Sequence, residues 1–171
     1  KGALTAIRQI AEMQVDVPML AMTHCDASKL AKQHGKKSEY ALCAAQWHKT
    51  LTYKDDFFGD GMKYDNDFNM EFGYAPPYQA AESSAALLVW KDAFERANSF
   101  DTEKVRDALS KTEIQTFYGN IKFADTGQNT AKPMVLFQVR CEGDTCENKV
   151  VAPTKWASAE LVHPTPKWSE R

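Results

Sequence analysis

The chain has 171 residues, 43% of them hydrophobic and 26% charged, and 21 Lys and Arg against 23 Asp and Glu give a formal net charge of −2. That balance argues against a nucleic-acid binder held by phosphate neutralisation, and the composition is that of a globular domain rather than a disordered, collagenous or coiled-coil chain. No stretch approaches the roughly 18 to 20 apolar residues of a membrane-spanning helix, and the start at Lys1-Gly2, without an apolar leader, reads as a processed chain or a piece of a longer one.

Leu4, Ile7, Ile10 and Ala11 recur at helical spacing, so residues 3–13 are expected to form an amphipathic helix that ends before Val17-Pro18. Pro18 to Met22 is short and apolar on both faces, as in a buried parallel strand. Asp26 is placed to cap a helix through Ser28, Leu30 and Ala31, stopped at Gly35, and Tyr40 to Ala44 is a second apolar run. Helix, strand, helix, strand in succession is the alternation of an α/β layer with a parallel sheet.

Residues 50–78 are rich in Asp, Gly and aromatics with little periodicity and read as a connecting region. Within it Tyr64, Phe68 and Phe72 lie four apart, which marks one short helix with an aromatic stripe for the core. Pro76-Pro77 opens a long helix to about Ala97, with Ala81, Ala85, Leu88 and Phe94 inward and Lys91, Glu95 and Arg96 outward. A shorter helix, opened by Asp101 or Thr102, carries Val105, Ala108 and Leu109. From residue 115 the period becomes two, through Phe117, Ile121 and Phe123, then Met134 to Val139 and Lys149 to Ala152, and the tail with Pro164, Pro166 and Trp168 reads as an extended closing segment.

Four cysteines allow three pairings. Cys141 and Cys146 flank a Gly-Asp turn between two apolar runs, so an antiparallel hairpin there would set them opposite each other at bonding distance. Cys25 and Cys43 are the early pair in the sequence and candidate disulfide residues, and their bonding to each other stays open. Zinc is not expected, because a four-residue gap without a nearby His does not match a ligand pair. Disulfides in such a chain place it outside the reducing cytosol.

Thr23, His24 and Cys25 follow the first strand, where α/β proteins hold ligands at the carboxyl end of the sheet, and Thr23 and His24 are candidate pocket residues. Trp47 follows the second strand in the same way. Its rim position predicts that Trp47→Ala weakens binding with little loss of fold. Asp60, Asp65 and Asp67 lack the glycine and glutamate of a calcium loop, and Glu82 suits a first helical turn with no catalytic role. A nucleophilic Cys25 or Cys43 would need a histidine held across from it, so a cysteine enzyme stays a rival only. There is no phosphate loop and no convincing catalytic set, and neither cofactor nor metal is expected.

The run Pro77-Tyr-Gln-Ala-Ala-Glu-Ser-Ser-Ala-Ala86, then Val105-Arg-Asp-Ala-Leu109, Phe117-Tyr-Gly-Asn-Ile-Lys-Phe123, Gly127-Gln-Asn129, Lys132-Pro-Met134, Val151-Ala-Pro153 and the final Pro-x-Pro-x-Trp168 resembles the carboxy-terminal half of the branched-chain amino-acid type solute-binding proteins of bacterial ABC transporters. The resemblance implies a type I periplasmic binding fold, with two α/β lobes, crossing segments between them and the ligand closed in the cleft. It implies residues 1–48 in the second lobe, residues 49–114 as a crossover with helices returning to the first, and residues 115–171 as closing strands and a final hinge crossing. It also implies a periplasmic location, a small amino acid, carboxylate or aromatic acid as ligand, a membrane permease as partner, and either an amino-terminal piece or a second copy to complete the fold. Thr23-His24 matches the family loop that contacts the ligand's amino group, often through an acid. With no carboxylate here, carboxylates, aromatic acids and amides join amino acids as candidates. Tyr78 matches an aromatic region near the cleft. A sensor that uses the same fold to signal to a receptor is the other reading.

Overall fold

The computed structural model describes residues 2–23, 27–132 and 134–171, with residues 27–30 by backbone only. It divides into two compact units, Lys1–Ala45 with Met134–Arg171, and Gln46–Pro133.

The first unit starts with α1 (Gly2–Glu12), whose apolar stripe buries Ile7. Then come β1 (Ala21–Met22), α2 (Ala27–His34), a single 3-10 turn and β2 (Leu42–Ala45). The late strands β7 (Val135–Glu142) and β8 (Thr145–Ala152) complete a four-stranded sheet in the order β1-β2-β7-β8. Only β1 and β2 run parallel; β2 pairs antiparallel with β7, and β7 with β8. The parallel sheet expected from the early alternation is therefore mixed, because the alternation says nothing of the hairpin arriving from the far end of the chain. Leu42, Cys43, Ala45, Val135, Val139 and Val150 form the dry centre of this sheet. Gln138 sits fully buried among them with its amide satisfied. Its Nε2 donates to the Tyr40 and Val162 carbonyls at 3.2 and 3.0 Å, and its Oε1 accepts from Val162 N–H at 2.9 Å. That spares a polar group in an apolar strand its desolvation cost.

The hairpin turns on Gly143, at φ 60°, which brings Cys141 directly opposite Cys146, and the two form a disulfide. The tail is less free than an extended segment. Trp168 N–H donates to Asp16 Oδ1 and its indole N–H to the Val15 carbonyl, and Arg171 lies 3.9 Å over the Trp168 ring, so residues 165–171 strap down the end of α1.

The second unit contains a small ribbon of β3 (Lys54–Asp55) and β4 (Gly59–Asp60), then α3 (Gly61–Phe72), α4 (Tyr78–Ala97), α5 (Thr102–Leu109) and the hairpin of β5 (Glu113–Thr116) and β6 (Gly119–Lys122). The expected connecting region thus holds a three-turn helix. Asp60 caps it by accepting Lys63 N–H at 2.8 Å, and Gly73 ends it in the left-handed region. Its aromatic stripe is only partly core, since Tyr64 is buried while Phe72 stays exposed. Asp101 caps α5 through Lys104 N–H. Helix α4 buries Ala81, Ala85, Val89 and Ala93, one position round from the expected Leu88 and Phe94, which flank this face.

Gly61 begins α3 where a Cβ would stand 2.6 Å from the Lys49 carbonyl oxygen. Backbone cannot yield there as a flexible side chain would, so Gly61→Ala should lower stability by about 1–3 kcal/mol, read by chemical denaturation.

Candidate functional site

Trp47 is the first large side chain of the second unit. It is only 4% exposed, and its ring meets Tyr64 and Phe117 edge-on at 5.7 and 6.1 Å. Tyr64 stacks on Phe117 at 4.2 Å, and Phe58 packs against both. Asp55 fixes this cluster from below: one carboxylate oxygen accepts the Phe57 and Phe58 N–H groups, the other the Phe117 N–H at 2.6 Å. Trp47 is therefore a packing residue of the unit. Its position after a strand predicted a rim, but the aromatic side chains that meet it come from residues 64 and 117, too distant in sequence to be read as neighbours. The expectation for Trp47→Ala changes accordingly. Loss of so large a buried ring should cost about 3–5 kcal/mol, seen as a shifted unfolding midpoint, rather than leave the fold intact.

Beside it, His48 Nδ1 lies 2.8 Å from the Thr50 hydroxyl, and Lys49 pairs with Asp65 at 2.8 Å. Burial, with Lys49 adding to it against Asp65, lowers the His48 pKa to about 4, so the ring is neutral at pH 7. Between about pH 4 and 6.5 the unfolded chain binds a proton that the folded one refuses, and stability must fall as pH drops through that window. Replacing His48 with Asn should remove roughly 1–3 kcal/mol of the loss between pH 6.5 and 4, measured as the difference between the two proteins' unfolding free energies.

The second unit also carries an open cavity of about 710 Å³, walled by Ala85, Ala86, Val89 and Trp90 of α4, Leu109 of α5 and Ile121 of β6. Four polar residues of its lining gather together. Lys132 Nζ lies 4.0 Å over the Tyr118 ring and donates to the Gln46 carbonyl, and Glu82 acts electrostatically on both Lys132 and Tyr118. Burial lowers the Lys132 pKa to about 8 against the pull of Glu82, and burial raises that of Tyr118, with Glu82 and then Tyr78 adding to the rise. Tyr118, Lys132 and Gln46 were not singled out from sequence. Nothing in a lone lysine or a Tyr-Gly pair announces that 86 residues of chain close between Lys132 and Gln46.

Of the expected ligand residues, Tyr78 opens α4 in the second unit, half-buried and within electrostatic reach of Tyr118. Thr23 is exposed in the first unit, immediately after β1. His24 and Cys25 lie outside the described residues, as does the expected cap Asp26. Cys43 is buried and disulfide-bonded, so among the described residues no free cysteine is available as a nucleophile. Among the described residues no group of three His, Cys, Asp or Glu could hold a metal ion, and no helix is long and apolar enough to cross a membrane.

Residues 1–145 match the family model described as Periplasmic binding protein, and the chain belongs to that family. Its fold is the type I periplasmic binding fold, in part. A leucine binding protein, LivK, from Thermotoga maritima is 22% identical over 89% of this chain and 42% of its own, with a TM-score of 0.70. The leucine-, isoleucine-, valine-, threonine- and alanine-binding protein from Brucella ovis is 12% identical over 96% of this chain and 44% of its own, with a TM-score of 0.71. The branched-chain amino acid transporter substrate binding protein LivJ from Streptococcus pneumoniae, in complex with isoleucine, is 13% identical over 89% of this chain and 42% of its own, with a TM-score of 0.66. At these identities the likeness is one of fold, and the chain spans less than half the length of each of these proteins.

Proposed function

We propose that this chain is the later part of the extracytoplasmic solute-binding component of an ABC importer, which captures a small amino acid, carboxylate or aromatic acid and delivers it to a membrane permease. The observation that carries this reading is the family match over residues 1–145, joined to a fold shared with proteins described as leucine- and isoleucine-binding. The protein acts by binding and releasing its ligand rather than by transforming it, and bonded Cys43, Cys141 and Cys146 suit a periplasmic location.

In this reading Thr23, His24 and Tyr78 are ligand contacts, while Trp47 packs within the second unit. Ligand binding shifts a population of open forms towards closed ones. In this reading residues 1–45 with 134–171 belong to one lobe and residues 46–133 to the other. The apolar face of α4, where Leu87 is 67% and Trp90 46% exposed, is covered by the rest of a longer chain or, failing that, by a second copy of this one.

The test is calorimetric titration of the longer protein with leucine, isoleucine and 4-methylpentanoate, the leucine analogue that lacks the ammonium group. Because Thr23-His24 offers no carboxylate, 4-methylpentanoate should bind within about tenfold of leucine, and Tyr78→Ala should weaken binding by about tenfold or more with an unchanged melting temperature. Absence of heat with all three ligands, or equal binding by the Tyr78→Ala variant, would count against the reading.

A further inference from the structure

The chain enters the second unit at Gln46 and leaves it at Pro133, so the two connections to the first unit begin and end within a residue of Gln46 and Lys132. Strand pairing brings these ends together: Ala45, the last residue of β2, is registered opposite Val135, the first of β7. Lys132 then spans from one connection to the other, its ammonium donating to the Gln46 carbonyl. Its stem runs through a slot shaped for it. Gly119 sits at φ +148°, a conformation that favours glycine, and a Cβ there would meet Lys132 Cδ at 2.5 Å and push the lysine stem aside. The ammonium then rests 4.0 Å over the ring of Tyr118, the residue before that glycine. A bound carbonyl, a ring face and a glycine slot together hold one flexible side chain in one place, which surface lysines do not experience.

We propose that Lys132 is a clasp that joins the strand entering the second unit to the strand leaving it, so that the two connections move as one when the protein opens and closes. The motion itself rests on the reading of the protein as a closing binder; the clasp does not, and it is testable without any ligand. The titratable groups facing Lys132 are Glu82 from α4, which favours the charged amine, and Tyr118 from the turn between β5 and β6, which burial keeps protonated and neutral. A charged donor bonds a carbonyl about twice as strongly as a neutral one and is the only form that binds the ring face, so the clasp loosens as the amine loses its proton near pH 8.

The experiment is backbone hydrogen exchange of the 171-residue chain, followed by mass spectrometry, on the wild type, Lys132→Met, Lys132→Arg and Gly119→Ala. Lys132→Met should speed exchange about tenfold at residues 46–48 and 130–132 while α5 keeps its protection, and Lys132→Arg should restore part of the difference. Gly119→Ala, which keeps the ammonium but blocks its slot, should reproduce the pattern, and this second variant decides the matter if Lys132→Met does not fold. Raising the pH from 7 to 9 should loosen the same two stretches in the wild type, after correction for intrinsic rates, and not in Lys132→Met. Unchanged exchange at residues 46–48 and 130–132 in both variants, or a uniform rise along the whole chain, would overturn the clasp.

Discussion

The antiparallel pairing of β2 with β7 is the constraint on which the rest of the chain depends. Leu42, Cys43 and Ala45 on one strand and Val135, Phe137 and Val139 on the other are buried, and their register runs from Leu42 opposite Gln138 to Ala45 opposite Val135. The whole second unit is thereby an excursion that starts and finishes at the adjoining ends of the two inner strands. The entropy of closing so long a loop grows only slowly with its length, so the dry sheet centre bears it easily. The excursion can then organise itself around its own core.

That core is aromatic, and it is held by one carboxylate as much as by packing. Asp55 binds three backbone N–H groups, two from its own turn and one from Phe117 on the distant hairpin, which sets Phe58 and Phe117 in place for Tyr64 and Trp47 to close upon. From there the consequence passes to the site: Phe117 leads into Tyr118, and Tyr118 into Gly119, the two residues that position Lys132. A fold-determining turn and a candidate functional cluster thus share three consecutive residues.

Much of the architecture was legible because local rules decide it. The helical stripes of α1, α4 and α5, the Asp101 cap, the Gly-Asp hairpin with Cys141 facing Cys146, and the period-two strands all depend on neighbours within a few residues. The mixed sheet was not legible, because β7 joins β2 across a span that leaves no periodic trace. The burial of Trp47 was not legible for the same reason: its place after a strand is local, but its burial is decided by Tyr64 and Phe117. Lys132 was legible only as part of the family motif Lys132-Pro-Met134, and nothing in sequence marked its contacts, since a clasp is defined by a carbonyl and a ring brought from elsewhere. Family membership was legible through the order of weak motifs from Pro77 to Met134, and no single one of them would have sufficed.

The proposed function, in which ligand moves one lobe against the other, is tested most directly by distance measurement between spin labels on the longer protein. Met13 in the first unit and Phe100 in the second are exposed, and replacing each with cysteine offers attachment points away from the bonded cysteines. Double electron-electron resonance with and without leucine or 4-methylpentanoate then reads the separation. The account predicts a distance distribution that moves to a new, narrower peak at the same ligand concentration that saturates binding. Saturated binding with an unmoved distribution would contradict it.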